Sequence, residues 1–225
     1  MQKVLLLSIL LTSLLMSCKQ SQQSVSNIEP TNLSMNPLPN SGVVEVPTNR
    51  TDNNFIDSQY SYADSEGKEV TIINSLPKGG LKYTDAVGND YVYAVFWTQV
   101  VNETTQPLEF TMNCLDATYS LPSAPDRVFK LYIPLDTMTM AKIPLFNFGL
   151  DLQKSLYRHH QQINCTKIIQ AKSIGAFYVV VLFNKGVDGT VRAGLRLRDQ
   201  QVLYRINDKV IECGYINSKL LTAKE

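Results

Sequence analysis

Leu108-Glu109-Phe110-Thr111-Met112-Asn113-Cys114 places apolar and polar side chains in strict alternation, and that period of two decides the fold class. Successive side chains of a strand point to opposite faces. Leu108, Phe110, Met112 and Cys114 therefore share a face to bury, while Glu109, Thr111 and Asn113 meet water. The same rhythm returns at Val191-Arg192-Ala193-Gly194-Leu195-Arg196-Leu197-Arg198. Val202 to Ile206 and Val210 to Cys213, with Asn207-Asp208 between them, read as two strands closed by a tight hairpin turn. Two runs differ. Tyr91 to Val101 and Phe177 to Phe183 are apolar at nearly every position, which predicts central strands covered on both sides.

One segment departs from the strand period. Leu145, Phe148, Leu152 and Leu156 follow one another at helical spacing, which predicts a helix or helical turns within residues 145 to 160, with Pro144 near the start. Gly149 would weaken it by about 1 kcal/mol relative to alanine. Many short strands with turn signals between them, plus one short helical insertion, predict an all-β domain over residues 58–225. Its expected form is an antiparallel two-sheet sandwich of immunoglobulin-like type. Val100 to Leu108 resembles the strand–turn–strand of such extracellular sandwiches. About 165 residues suffice for one hydrophobic core. A composition of 44% hydrophobic and 18% charged residues with net charge +1 argues against a nucleic-acid partner.

Tyr62-x-Asp64-x-x-Gly67-x-Glu69-Val70 recurs as Tyr83-x-Asp85-x-x-Gly88-x-Asp90-Tyr91. An aspartate early in a turn accepts from backbone N–H groups and glycine supplies a positive φ, so two hairpins with one turn chemistry explain the repeat. A calcium site from Asp64, Glu66, Asp85 and Asp90 would need denser acidic spacing than either turn has.

Ahead of the domain the composition changes. Of the 39 residues from 19 to 57, 22 are Ser, Thr, Asn, Gln or Pro, and Pro30, Pro37, Pro39 and Pro47 interrupt any regular element. Such a stretch buries too little apolar area to offset its ordering entropy and is expected to be a disordered tether with a span of roughly 35 Å. Val43-Val44-Glu45-Val46 is its one candidate edge strand. Further upstream, Lys3 precedes a mostly apolar run from Val4 to Leu15. That run is shorter than the roughly 20 residues a membrane-spanning helix needs and fits the h-region of a signal peptide over residues 1–17.

Leu15-Met16-Ser17-Cys18 resembles the lipobox of bacterial lipoprotein precursors. The resemblance implies removal of residues 1–17, lipidation of Cys18, and a protein of the cell envelope held to the lipid bilayer by acyl chains, each buried CH₂ contributing ~0.8 kcal/mol. In that family an aspartate after the cysteine tends to retain the protein at the inner membrane of Gram-negative cells. Lys19 implies the outer membrane instead. The expected role is binding, structural or accessory, without catalysis or cofactor, and the expected partner is an envelope protein or an acidic glycan.

Removing Cys18 from the count leaves Cys114, Cys165 and Cys213 as possible disulfide members. One pair plus one thiol is the economical arrangement in an oxidising compartment, and the sequence chooses neither among the three pairings nor between a pair and none. His159 and His160 are the only histidines, and Cys165 follows close behind. An imidazole can hold a cysteine as thiolate, which gives the alternative reading of a hydrolase or redox enzyme. No third orienting group accompanies them, and adjacent helical side chains diverge, so the pair suits zinc poorly and no metal is expected. Arg192, Arg196 and Arg198 would share an outward face with Arg205 beside them, a possible anion-binding surface since guanidinium forks pair with carboxylates and phosphates. The competing reading is a solvated sheet face partly neutralised by Asp199 and Glu212. Asp136-Thr137-Met138 resembles the tripeptide glycosylated on Ser or Thr in exported proteins of one Gram-negative phylum, which implies a glycan on Thr137.

Overall fold

The computed structural model describes residues 55–113, 117–159, 165–218 and 221–224. The signal peptide, Cys18, residues 19–54 of the expected tether with Val43–Val46, Cys114 and His160 lie outside the described residues. In chain order the elements are β1 (Ile56–Ala63), β2 (Glu69–Ser75), β3 (Lys78–Thr84), β4 (Asp90–Asn102), β5 (Leu108–Met112), β6 (Thr118–Leu121) and β7 (Ala124–Tyr132). Then come α1 (Leu152–His159), β8 (Cys165–Ile169), β9 (Ser173–Phe183), β10 (Ala193–Arg198), β11 (Gln201–Ile206), β12 (Lys209–Ile216) and β13 (Thr222–Ala223).

One sheet runs β13-β1-β2-β4-β9-β7-β6, with β3 also paired to β4; the other runs β10-β11-β12-β5-β8. Pairing is antiparallel throughout, so the expected all-β two-sheet sandwich is present. β2 and β3 lie successively along the same side of β4, broken at Leu76-Pro77. At the break the Ser75 hydroxyl accepts the Trp97 N–H at 2.9 Å, in place of a ladder partner. β1 begins at Ile56, two residues ahead of the expected boundary at 58. Phe55 packs on the outer apolar cluster, so the first strand takes residues that composition alone assigned to the tether.

β4 and β9 pair from Val92–Phe183 to Asn102–Ser173, and both faces of this central pair are covered. Ala94, Phe96, Val100, Phe177, Val179 and Val181 meet the core side chains of the second sheet. Tyr93, Val95, Trp97, Tyr178, Val180 and Leu182 point the other way, under Met138, Ile143, Phe148, Leu150, Leu152 and Leu156. The connection between β7 and β8 is thus a strap across the outer face of the larger sheet, and the molecule has three layers. Each fully buried large side chain such as Phe148 contributes about 1.5–3 kcal/mol.

The strap carries the expected helix and helical turns. It comprises 3₁₀ turns at Met140–Lys142 and Phe146–Gly149, followed by α1. Asn147, Phe148 and Gly149 take φ of 47°, 55° and 71°, so the chain reverses between the 3₁₀ turns and α1. Leu145 is exposed, whereas Phe148, Leu152 and Leu156 are buried. Tertiary bonds hold the reversal. The Asn147 amide donates to the Tyr93 hydroxyl at 3.0 Å, and the Tyr178 hydroxyl donates to the Phe148 carbonyl at 2.7 Å. The Lys78 ammonium donates to the Ile143 and Leu145 carbonyls and stands 4.5 Å from the Phe148 ring centroid.

Two polar residues fasten sheet to sheet. Asn74 of β2 donates to the Leu195 carbonyl at 3.0 Å and accepts the Leu195 N–H at 2.9 Å, acting as a strand partner for the edge of β10. The Tyr62 hydroxyl accepts the Leu197 N–H at 2.7 Å one step along. Gly194, next to Leu195, leaves room for Asn74, since a Cβ there would stand 2.9 Å from the Asn74 Nδ2. At the β4–β5 corner, Asn102 donates to the Gln106 and Gln170 carbonyls and accepts from Thr104, joining that turn to the β8–β9 hairpin.

Candidate functional site

The repeated turns share one construction. Asp64 Oδ1 accepts the N–H groups of Glu66 and Lys68, and Asp85 Oδ1 accepts those of Val87 and Asn89. Gly67 and Gly88 both take positive φ. Both carboxylates are occupied by backbone donors, as the turn reading expected. The flanks of the two copies differ. Tyr62 is buried and bonded to β10, and Val70 is fully buried. In the second copy Tyr83 and Tyr91 stand half-buried opposite one another, with ring centroids 6.5 Å apart.

These two rings begin a groove on the outer face of the larger sheet, beyond the end of the strap. One part, of about 490 Å³, lies between Tyr91, Thr118, Lys130 and Asn184. Another, of about 450 Å³, lies between Tyr83, Asp85, Lys154 and Tyr157. A narrow neck lined by Tyr83, Asp85, Tyr91, Lys130, Leu156 and Leu182 shares residues with both. The floor is apolar, since Leu156 and Leu182 are buried, while Tyr157 on α1 is 75% exposed. Antiparallel register explains the convergence: Tyr83 opposes Tyr91 across β3–β4, and Lys130 opposes Leu182 on one side and Thr118 on the other.

The charges of the groove are unequal in their engagement. A hydrogen bond from the Asn89 side chain, helped by the Asn89 and Val87 N–H groups and the Tyr91 hydroxyl, holds the Asp85 carboxyl below its ordinary pKa. Burial, then the negative charge of Asp85, pushes the Tyr83 phenol up, so it is a neutral hydroxyl at physiological pH. Asp90 accepts from the Thr84 hydroxyl at 2.6 Å. Lys130 and Lys154 form no ion pair among the described residues.

The residues that sequence reasoning singled out lie elsewhere. Arg192 meets Asp57 at 2.6 Å and Arg205 meets the same carboxylate at 3.8 Å, while Arg198 meets Glu212 at 3.1 Å. Arg196 Nε is buried without a hydrogen-bond partner among the described residues. Asp199 takes the left-handed turn position between β10 and β11. Three of the four arginines are thus engaged with carboxylates. His159 ends α1, and its side chain lies outside the described residues with His160. Cys165 and Cys213 are buried in the inter-sheet core on the strands either side of β5, where Met112 opposes Cys165 and Gly214. Thr137 is exposed and bridges to Phe177, while Asp136 accepts from the Ser155 hydroxyl at 2.8 Å. No group of three or more acidic, His or Cys side chains able to hold a metal occurs among the described residues.

Sequence reasoning noted the second turn but missed the groove. The signal lay in the replacement of Val70 by Tyr91 at the equivalent position of the repeat. Comparison of the chain with protein-family models, with curated proteins and with solved structures finds no match.

Proposed function

We propose that the chain is a lipid-anchored binding module of the bacterial envelope, carried on Cys18 and taking its ligand in the groove of Tyr83, Tyr91 and Lys130. The groove carries this reading. It combines an apolar floor, a few convergent polar groups, two half-exposed rings and an ammonium with no carboxylate partner among the described residues. That is the usual composition of a binding site, and its volume lies in the usual range. The lipobox resemblance of Leu15 to Cys18 supports the anchor, and Lys19 supports the outer membrane. Binding rather than catalysis is favoured because Cys165, the one nucleophile of the enzymatic alternative, has no exposed surface. Catalysis there would require the core to open.

The test uses the lipidated protein in nanodiscs with its aromatic rings isotopically labelled, titrated with a detergent extract of Gram-negative envelopes. The Tyr83 and Tyr91 ring resonances are expected to shift while those of Trp97 and Tyr178 stay fixed. A silent groove, or shifts confined to the surroundings of Arg192 to Arg198, would overturn the assignment.

A further inference from the structure

We infer that the groove binds an oligosaccharide bearing carboxylates, an inference that rests on the binding reading above. A pyranose ring has one apolar C–H face and a rim of hydroxyls. Tyrosine offers the complement, a flat apolar body with a polar tip, and Tyr83, Tyr91 and Tyr157 supply three such surfaces along the groove. Side chains able to meet hydroxyls line the rim. Asn89, Asp90, Thr118 and Asn184 are all exposed at one end, and Gln153 is exposed at the other. Two depressions of about 490 and 450 Å³, with a neck that shares residues with both, favour a chain of rings over a single sugar.

The charge follows from what the carboxylates already do. Asp85 is held by Asn89, Val87 and Tyr91, and Asp90 by Thr84, yet Lys130 at the neck and Lys154 beyond it have no carboxylate within ion-pair distance among the described residues. An acidic sugar would place its carboxylate against Lys130 while its ring rests on Tyr91.

Other ligand classes fit less well. An extended peptide gains its affinity from the unpaired backbone of a sheet edge, and this groove lies on a face whose strands already pair with each other. A lipid chain needs an enclosed apolar cavity, whereas this groove is open and polar side chains form its rim. A net charge of +1 gives little of the phosphate attraction that nucleic-acid binding needs.

The test is electrophoresis of the full mature chain through native gels cast with polygalacturonate, alginate, hyaluronan, or methyl-esterified polygalacturonate as the uncharged counterpart. Retardation is expected in at least one acidic gel and is expected to weaken with added salt. Tyr83→Ala with Tyr91→Ala should reduce affinity by about ten- to a hundredfold, from the usual contribution of an aromatic contact. Lys130→Gln alters a half-exposed side chain without touching the core. It should reduce acidic-gel affinity about three- to fivefold and leave the esterified gel unchanged. Retardation that survives the tyrosine pair would overturn the inference, as would equal retention of acidic and esterified polymers. If no gel retards the protein while the groove resonances still respond to envelope extract, the oligosaccharide falls and the binding site stands. Silence in both removes both.

Discussion

Asn74→Ala tests whether side chains, rather than backbone, close the sandwich along β10. The wild-type side chain is 1% exposed and bonds the Leu195 N–H, the Leu195 carbonyl and the Thr98 hydroxyl. Alanine leaves all three without their partner in a buried site, and an unsatisfied buried polar group costs about 1–3 kcal/mol. Allowing for some reorientation of Thr98, the expected loss is about 3–5 kcal/mol, a large share of the ~5–15 kcal/mol that stabilises an ordinary domain. Trp97 is the only tryptophan and is fully buried, so its fluorescence follows urea unfolding directly. At a slope of about 2 kcal/mol/M the midpoint should fall by roughly 1.5–2.5 M. Hydrogen exchange at Leu195 should accelerate in step. A second substitution sharpens the result. Gly194→Ala should destabilise the wild type, where the new Cβ meets Asn74 Nδ2 at 2.9 Å and Ser58 Oγ at 3.0 Å, and cost less in the Asn74→Ala background, where the Ser58 contact alone remains. A loss below about 1 kcal/mol with Leu195 still protected would show that the contact carries little energy and that the reasoning is wrong.

Cys18→Ala should give a protein that keeps its signal or is released in soluble form, as read by membrane fractionation. Continued membrane retention after signal cleavage would refute the lipid anchor. Asp85→Asn addresses the turn. Because the folded carboxyl titrates below its ordinary pKa of ~3.9, its stabilisation is present above that value and is lost as pH falls through the lowered one. Wild type and variant should therefore differ most near neutrality and converge in acid, a comparison read from urea midpoints against pH. Parallel curves would contradict it.

Much of the fold was legible because burial in strands is written at a period of two. Leu108, Phe110 and Met112 alternate into the core as expected, and so do Ala193, Leu195 and Leu197. The doubly apolar runs became β4 and β9, although their pairing with each other is a tertiary fact that no local period contains. The reversal inside the strap was not legible, because the helical spacing of Leu145, Phe148 and Leu152 is blind to a left-handed turn at Phe148. That turn is held by Tyr93 and Tyr178, which lie far off in the chain. The ion pairs of the arginines were hidden for a similar reason. Asp57, the carboxylate that engages Arg192 and Arg205, is 135 residues from Arg192 and sat in a stretch read as tether.

The groove was hidden for a reason that also explains why it exists. From Tyr93 to Trp97 on β4 and from Tyr178 to Leu182 on β9 the outward side chains are apolar or aromatic, and among the described residues the strap covers them as far as Leu156. Tyr93, Val95 and Trp97 are sealed, but Tyr91, one step further along the same face, meets solvent beside Lys130. By apolar pattern alone Tyr91 and Tyr93 are members of one run. Their separation into core and surface is decided by where a distant segment stops. Tyrosine suits both fates, since its ring packs when covered and its hydroxyl hydrates when not. A boundary of this kind leaves an aromatic surface open without exposing a large aliphatic patch, and a recognition site built there adds little to the risk of aggregation.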